Sequence, residues 1–181
     1  MNKLILLLAC LCFSFFGMAQ PKYAPLKLNN ALVISHLDKE SDRFTLEIAV
    51  SDVLSHARIK NMVALNLLKQ GADPQILLTD SLNQILNGKG INTLMLVSVR
   101  GFDTRFKPSS GNITLAEDLA ANNLFPIYKD EITSVTFEFH FYREGKLVFA
   151  DLLKIGGFGD REKMLKKFKK KLIKKVQSSW M

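Results

Sequence analysis

Phe44, Leu46, Ile48 and Val50 alternate with Thr45, Glu47, Ala49 and Ser51, and a two-residue period predicts a strand with one face in the core. Before it, residues 20–43, with Pro21 and Pro25, read as an extended lead-in. Asp52 is placed to cap a helix whose apolar residues, from Val53 to Leu68, spread widely around its circumference; Gly71-Ala72-Asp73-Pro74 ends it. Gln75 to Thr79 reads as a short strand, and Ser81-Leu82-Asn83-Gln84 as a capping box for a helix that stops at Gly88-Lys89-Gly90. Thr93 to Val99 is strongly apolar without alternation, the pattern of a central strand buried on both faces.

The second half has a different texture. Val135, Phe137, Phe139 and Phe141 alternate with Ser134, Thr136, Glu138, His140 and Tyr142, and Arg143-Glu144-Gly145-Lys146 turns the chain into Leu147 to Ile155, so a long β-hairpin is predicted. Between the halves lies 101–131, with one short helix near Leu115 to Asn122; connections of this length are often functional. At the end, Met164, Leu165, Phe168, Leu172 and Val176 share one helical arc, with Ile173 at its edge. The expected fold is α/β: a βαβαβ parallel core extended by the antiparallel hairpin, with a C-terminal amphipathic helix (160–178) packed on the sheet. Residues 44–181 are expected to form one domain.

The first residues modify this picture. Met1-Asn2-Lys3, the apolar stretch Leu4 to Phe16 and the small residues Gly17 and Ala19 have the three parts of a secretory signal peptide over 1–19, cut between Ala19 and Gln20. The protein is therefore expected to be exported, to the periplasm or beyond the cell. Leu7-Leu8-Ala9-Cys10 also has the form of a bacterial lipobox, which would make an outer-membrane lipoprotein through Cys10. That cut leaves only Leu4 to Ala9 as the apolar core and strands Leu11 to Phe16 on the mature chain. Both cysteines, Cys10 and Cys12, precede the cut at Ala19, so the processed chain has no disulfide, thiolate metal site or cysteine nucleophile to use.

The net charge of +8 is local. From Asp160 to Met181 there are eight lysines and Arg161 against Asp160 and Glu162, whereas Gln20 to Gly159 carries equal numbers of acidic and basic side chains. The basicity describes one helix, and no nucleic-acid partner is implied. Burying its five or six apolar side chains is worth on the order of 10 kcal/mol, against about 1 kcal/mol for each lysine near an anionic leaflet. The apolar stripe should dock on the fold, leaving Lys163, Lys166, Lys167, Lys170, Lys171 and Lys174 as candidates for contact with an anionic lipid or glycan surface. In the interfacial alternative the helix lies on the membrane with Trp180 at the boundary.

No catalytic motif emerges. His36, His56 and His140 lack the spacing of a metal site, and His140 beside Glu138 reads as a solvated histidine on a polar strand face. Ser55-His56 near Asp52 lies on one helical turn and lacks a nucleophile elbow. Gly156-Gly157-Phe158-Gly159-Asp160 reads as a joint with an aspartate cap rather than a phosphate loop. Neither cofactor nor metal is expected. Arg100-Gly101-Phe102-Asp103-Thr104-Arg105-Phe106 leaves the predicted central strand where open α/β sheets place ligands. Its arginines and aromatics are typical anchors of binding patches, so Arg100, Phe102, Asp103, Arg105 and Phe106 are candidate partner-binding residues, unless the strand continues with Phe102 and Phe106 in the core.

Ile48-Ala49-Val50-Ser51-Asp52, Arg58, Gly71-Ala72-Asp73, Asn92 to Val99 leading into Asp103-Thr104-Arg105, and a hairpin turning at Gly145-Lys146-Leu147-Val148-Phe149 together resemble the small envelope lipoproteins of bacteria. Their fold is similar to that of the TolB amino-terminal domain and of the outer-membrane activator of penicillin-binding proteins. The resemblance implies a non-enzymatic module that works through an envelope protein partner.

Overall fold

A computed structural model of the protein describes residues 23–67, 77–108, 111–121 and 124–181. In chain order the elements are β1 (Asn30–His36), α1 (Glu40–His56), β2 (Lys60–Val63) with a 3-10 turn at Ala64–Asn66, α2 (Asp80–Gly88), β3 (Leu94–Gly101), α3 (Leu115–Ala120), β4 (Ser134–Arg143), β5 (Lys146–Gly156) and α4 (Arg161–Lys175), which runs on as a π turn at Val176–Trp180. The sheet order is β2-β1-β3-β4-β5. β1 pairs in parallel with β2 and β3, while β4 is antiparallel to β3 and β5. The predicted parallel core, antiparallel hairpin and docked terminal helix are all present, but three elements occupy other residues than the sequence pattern indicated.

The first strand is Asn30–His36, inside the stretch read as a lead-in. Ala31 to His36 are all buried, as a strand between two parallel neighbours requires. Residues 44–50 are helical, not a strand. α1 buries Asp42, Leu46, Ala49, Val50, Val53 and Leu54, a three-and-four spacing that directs one face to the sheet and leaves Phe44 and Ile48 exposed. The helix expected over 53–68 ends at His56, where Arg58 turns the chain in the left-handed region (φ 60°) into β2. α2 begins at Asp80, so Ser81 lies inside it and not at its N-cap. The strand expected at Gln75 to Thr79 and the Gly71-Ala72-Asp73-Pro74 stop fall largely outside the described residues; Leu77 and Leu78 belong to no strand.

One sheet face carries Ala31, Val33, Met95, Val97, Val99, Val135, Phe137, Phe139, Phe141, Leu153 and Ile155, covered by α1 and α4. The other carries Leu32, Ile34, Leu96 and Tyr142 under α2 and α3. Two buried carboxylates lock α1 in place. Asp42 accepts the Ile127 amide (3.1 Å) and an Arg161 guanidinium N–H (2.9 Å), joining α1 to α4. β2 pairs with β1 only as far as Val33, and beyond it the Ser35 amide donates to Glu47 (2.9 Å), as does Leu65 (3.1 Å). Burial pushes the Glu47 carboxyl up to about 7, although these backbone N–H groups pull the other way.

Candidate functional site

The polar set of β4 is not solvated. Thr136, Glu138, His140 and Tyr142 are all buried: α3 closes over His140 and Tyr142, and the Thr136 hydroxyl donates to the Asp103 carbonyl in the loop after β3. That helix is fixed at its start by a capping box: the Thr114 amide donates to Glu117 (2.8 Å) and the Glu117 amide to the Thr114 hydroxyl (3.3 Å). Leu115 and Leu119 seat it on the second-face core. Asp118, between them, accepts the Tyr142 hydroxyl (2.7 Å) and the Nδ1–H of His140. The other nitrogen of His140 lies 3.3 Å from Glu138 Oε1, an ionic contact without hydrogen-bond geometry, and Glu138 Oε2 lies 3.5 Å from Arg100 Nη1. Burial alone would lower the pKa of His140. Asp118 and Glu138 outweigh it and carry the imidazole up to about 9, so it is an imidazolium between two carboxylates at neutral pH. Burial likewise raises the Tyr142 phenol, helped by Asp118.

At the carboxyl ends of β1 and β3 this polar cluster opens into a cavity of about 490 Å³, lined among others by His36, Ser98, Arg100, Phe106, Asp118 and Phe125. Across its floor the strand register sets His36 beside Ser98 and Ser98 beside Glu138. Burial holds His36 below the usual histidine range, with Asp118 opposing and Arg43 assisting.

The predicted partner-binding residues separate here. Arg100 and Phe106 line the cavity, and the Arg100 side chain is 45% exposed. Gly101 sits at a register shift with φ 153°, and a Cβ there would fall 2.8 Å from the Phe106 ring, so glycine lets Phe106 lie over the strand end. Phe102 instead packs edge-on against Phe125 (6.0 Å) beside the first-face core. Asp103 and Arg105 chelate one another: the carboxylate accepts the Arg105 amide (2.9 Å), Nε (2.8 Å) and Nη2 (2.6 Å). The arginine holds the Asp103 carboxyl down to about 2. Phe102, Asp103 and Arg105 therefore shape the loop, while Arg100 and Phe106 face the cavity.

Sequence reading missed His36, Asp118, Glu138 and His140 as site residues. Charged side chains recurring every second position on a strand look solvated until a covering element is known. A Thr-x-x-Glu capping box at Thr114 was the available signal that a helix begins there, with Asp118 on its first turn.

The lysines of α4 also separate. Lys167 donates to the carbonyls of Gly156 (3.1 Å) and Gly157, Lys171 to that of Lys154 (2.7 Å), and Lys175 pairs with Asp151 (2.7 Å). This row clamps the outer edge of β5. Lys163 pairs with Asp160 (2.9 Å) and Lys169 with Asp52 (3.0 Å). Among the described residues Lys166, Lys170 and Lys174 have no ion-pair partner and are exposed. Asp160 caps the helix, accepting the Lys163 amide (2.7 Å), as the joint reading requires. Trp180 is fully buried, not at an outer boundary. His56 is exposed and donates Nδ1–H to the Asp52 carbonyl (2.7 Å), while Ser55 accepts from Asn61 (2.9 Å); they form no catalytic arrangement. Ala19, Gln20 and Cys10 lie outside the described residues, among which no helix is long and apolar enough to cross a membrane and no group of three His, Cys, Asp or Glu side chains is placed to hold a metal.

No protein-family model matches the chain, and no curated protein matches it. Among solved structures it is similar to a point variant of the PelC dodecamer from Paraburkholderia phytofirmans, with 10% identity over 83% of this chain and 91% of that one and a TM-score of 0.46. A second PelC dodecamer from the same organism gives 12% identity, 86% and 89% coverage and a TM-score of 0.45. The lipoprotein GNA1162 from Neisseria meningitidis gives 11% identity, 84% and 99% coverage and a TM-score of 0.44. Neither the TolB amino-terminal domain nor the activator of penicillin-binding proteins is among these three.

Proposed function

We propose that the protein is an exported, non-catalytic module of the cell envelope that binds a protein partner at the rim of the cavity between β1, β3 and α3. Export is inferred from the leader pattern of Met1 to Ala19. The observation that supports the binding role is the division of charge around the cavity. Asp118, Glu138 and His140 are committed to one another, whereas half-exposed Arg100 makes a single ionic contact among the described residues and keeps guanidinium N–H groups available beside the Phe106 ring. An arginine and an aromatic at a rim are suited to anchoring a protein segment.

Among the described residues the row His36–Ser98–Glu138 is the feature that most favours hydrolysis, and its order argues against it. A histidine base must stand between the serine and the carboxylate that orients it, and here the serine stands between histidine and carboxylate. His140, with both ring nitrogens facing carboxylates, has no free nitrogen to accept a proton.

The test places a photo-crosslinking side chain at exposed Lys107, next to Phe106 but off Gly101, in the full chain expressed with its leader. A discrete protein adduct that disappears in Arg100→Ala and survives Ser98→Ala is expected. An adduct indifferent to both Arg100→Ala and Phe106→Ala overturns the assignment.

A further inference from the structure

The outer face of the α1–α4 layer points to a second surface, and we infer that it lies on an anionic lipid bilayer, with Phe44, Ile48 and Ile173 entering the headgroup region and Lys166, Lys170 and Lys174 on the phosphates. The two helices run side by side in the same direction. Arg161 at the start of α4 meets Asp42 and Thr45 near the start of α1, and further along Lys169 meets Asp52. Packed together on one face of the sheet, they present an outer platform made of two parallel helix backs.

That platform has two kinds of unpartnered group. Phe44 and Ile48, one helical turn apart on α1, are 57% and 39% exposed, and Ile173 on α4 is 42% exposed. Next to Ile173, a groove of about 370 Å³ runs between the helices, with Val53, Ala57, Ile173 and Val176 on its walls beside Asp52, His56, Lys169 and Gln177. Lys166, Lys170 and Lys174 recur every four residues and form one stripe on α4, free, among the described residues, of the pairs that bind the other lysines. Of the acidic groups nearby, Asp52 is tied to Lys169, leaving Glu40 and Glu162 at the amino-terminal ends. Apolar side chains flanked by uncompensated cations match a surface whose phosphates lie just above its hydrocarbon. The docked core of α4 stays docked in this arrangement, because Met164, Phe168, Leu172 and Trp180 are buried in the core against the sheet.

The test is sedimentation of the protein, purified from cells expressing the full chain, with vesicles of phosphatidylcholine alone or mixed with phosphatidylglycerol. Binding to the mixed vesicles only is expected, weakening with added salt. Lys166→Gln, Lys170→Gln and Lys174→Gln combined should lower the affinity about 100-fold, near fivefold for each lysine. Phe44→Ser with Ile48→Ser should also weaken it, and all five positions are exposed enough that thermal unfolding stays near that of the parent. The inference is overturned by failure to bind mixed vesicles. It is equally overturned if the lysine substitutions abolish binding while Phe44→Ser with Ile48→Ser leaves it intact and heparin competes fully; the stripe would then hold soluble polyanions or acidic proteins.

Discussion

Trp180 closes the π turn that follows α4 and is completely buried. Its indole meets Phe139 and Phe141 edge-on (4.9 and 5.0 Å), and its N–H donates to Asp151 (2.9 Å). Its carbonyl accepts the Leu28 amide (2.6 Å), so the last turn also pins the segment entering β1. Replacing it by alanine removes a full aromatic side chain from a rigid pocket, which costs about 3–5 kcal/mol. A domain of this kind has about 5–15 kcal/mol in total, so Trp180→Ala should remove roughly a fifth of its stability at the least. Trp180→Phe keeps the ring contacts and loses the bond to Asp151, for a cost of about 1–2 kcal/mol. Urea unfolding followed by far-ultraviolet circular dichroism measures both, since Trp180 is the single tryptophan and its removal takes the fluorescence signal with it. In the parent, that same signal should be blue-shifted and unchanged by vesicles. A loss below about 1 kcal/mol in Trp180→Ala, or a parent emission typical of indole in water, would refute the docked C-terminus and return Trp180 to a surface role.

Four further outcomes follow from contacts elsewhere in the fold. His140 has a folded-state pKa of about 9 against an ordinary 6.5, so its contribution is complete below about pH 6.5 and fades as pH climbs through about 9; the loss, about 3 kcal/mol, should appear in urea titrations across that window and be largely absent in Asp118→Asn. Glu47, held near 7 against 4.5, acts with the same sign at lower pH, so stability should already decline between about pH 4.5 and 7. Gly101→Ala should cost about 1–3 kcal/mol, and Phe106→Ala in the same chain should recover part of it by removing the ring 2.8 Å from the new Cβ; equal losses with and without Phe106 would exclude the clash. Replacing Lys167, Lys171 and Lys175 with serine strips the clamp from the edge strand β5, and light scattering should show concentration-dependent association that the parent lacks.

Where elements were legible, the reason is that one face was buried in the ordinary way. β4 alternates because phenylalanines on one side meet α4, and α4 shows its stripe because its buried side chains face the sheet while its back stays exposed. β1 was missed although Ala31 to Leu37 has the unalternating apolar character that identified β3; the prolines before it drew the whole stretch into a lead-in. α1 was misread because Phe44 and Ile48, exposed, complete an apparent two-residue period with Leu46 and Val50, while buried Asp42 and Glu47 remove polarity from the outside of the true helical pattern.

The two surfaces proposed here arise at the places where polarity and burial disagree. Periodicity reports which residues share a face; whether that face is covered depends on elements far away in sequence, such as α3, which reaches β4 through contacts 22 and 24 residues apart. Glu138 and His140 are charged and inside, which requires partners and builds the floor of the cavity behind Arg100. Phe44, Ile48 and Ile173 are apolar and outside, which leaves surface for something else to cover. The first disagreement is resolved within the chain by Asp118, so its substitution should act on stability and its pH dependence. The second is resolved by nothing in the described chain, so substitutions at Phe44 and Ile48 should leave stability alone and act only on binding. A large stability loss on Phe44→Ser with Ile48→Ser would therefore mean that α1 is covered in the folded protein, and that the platform is interior.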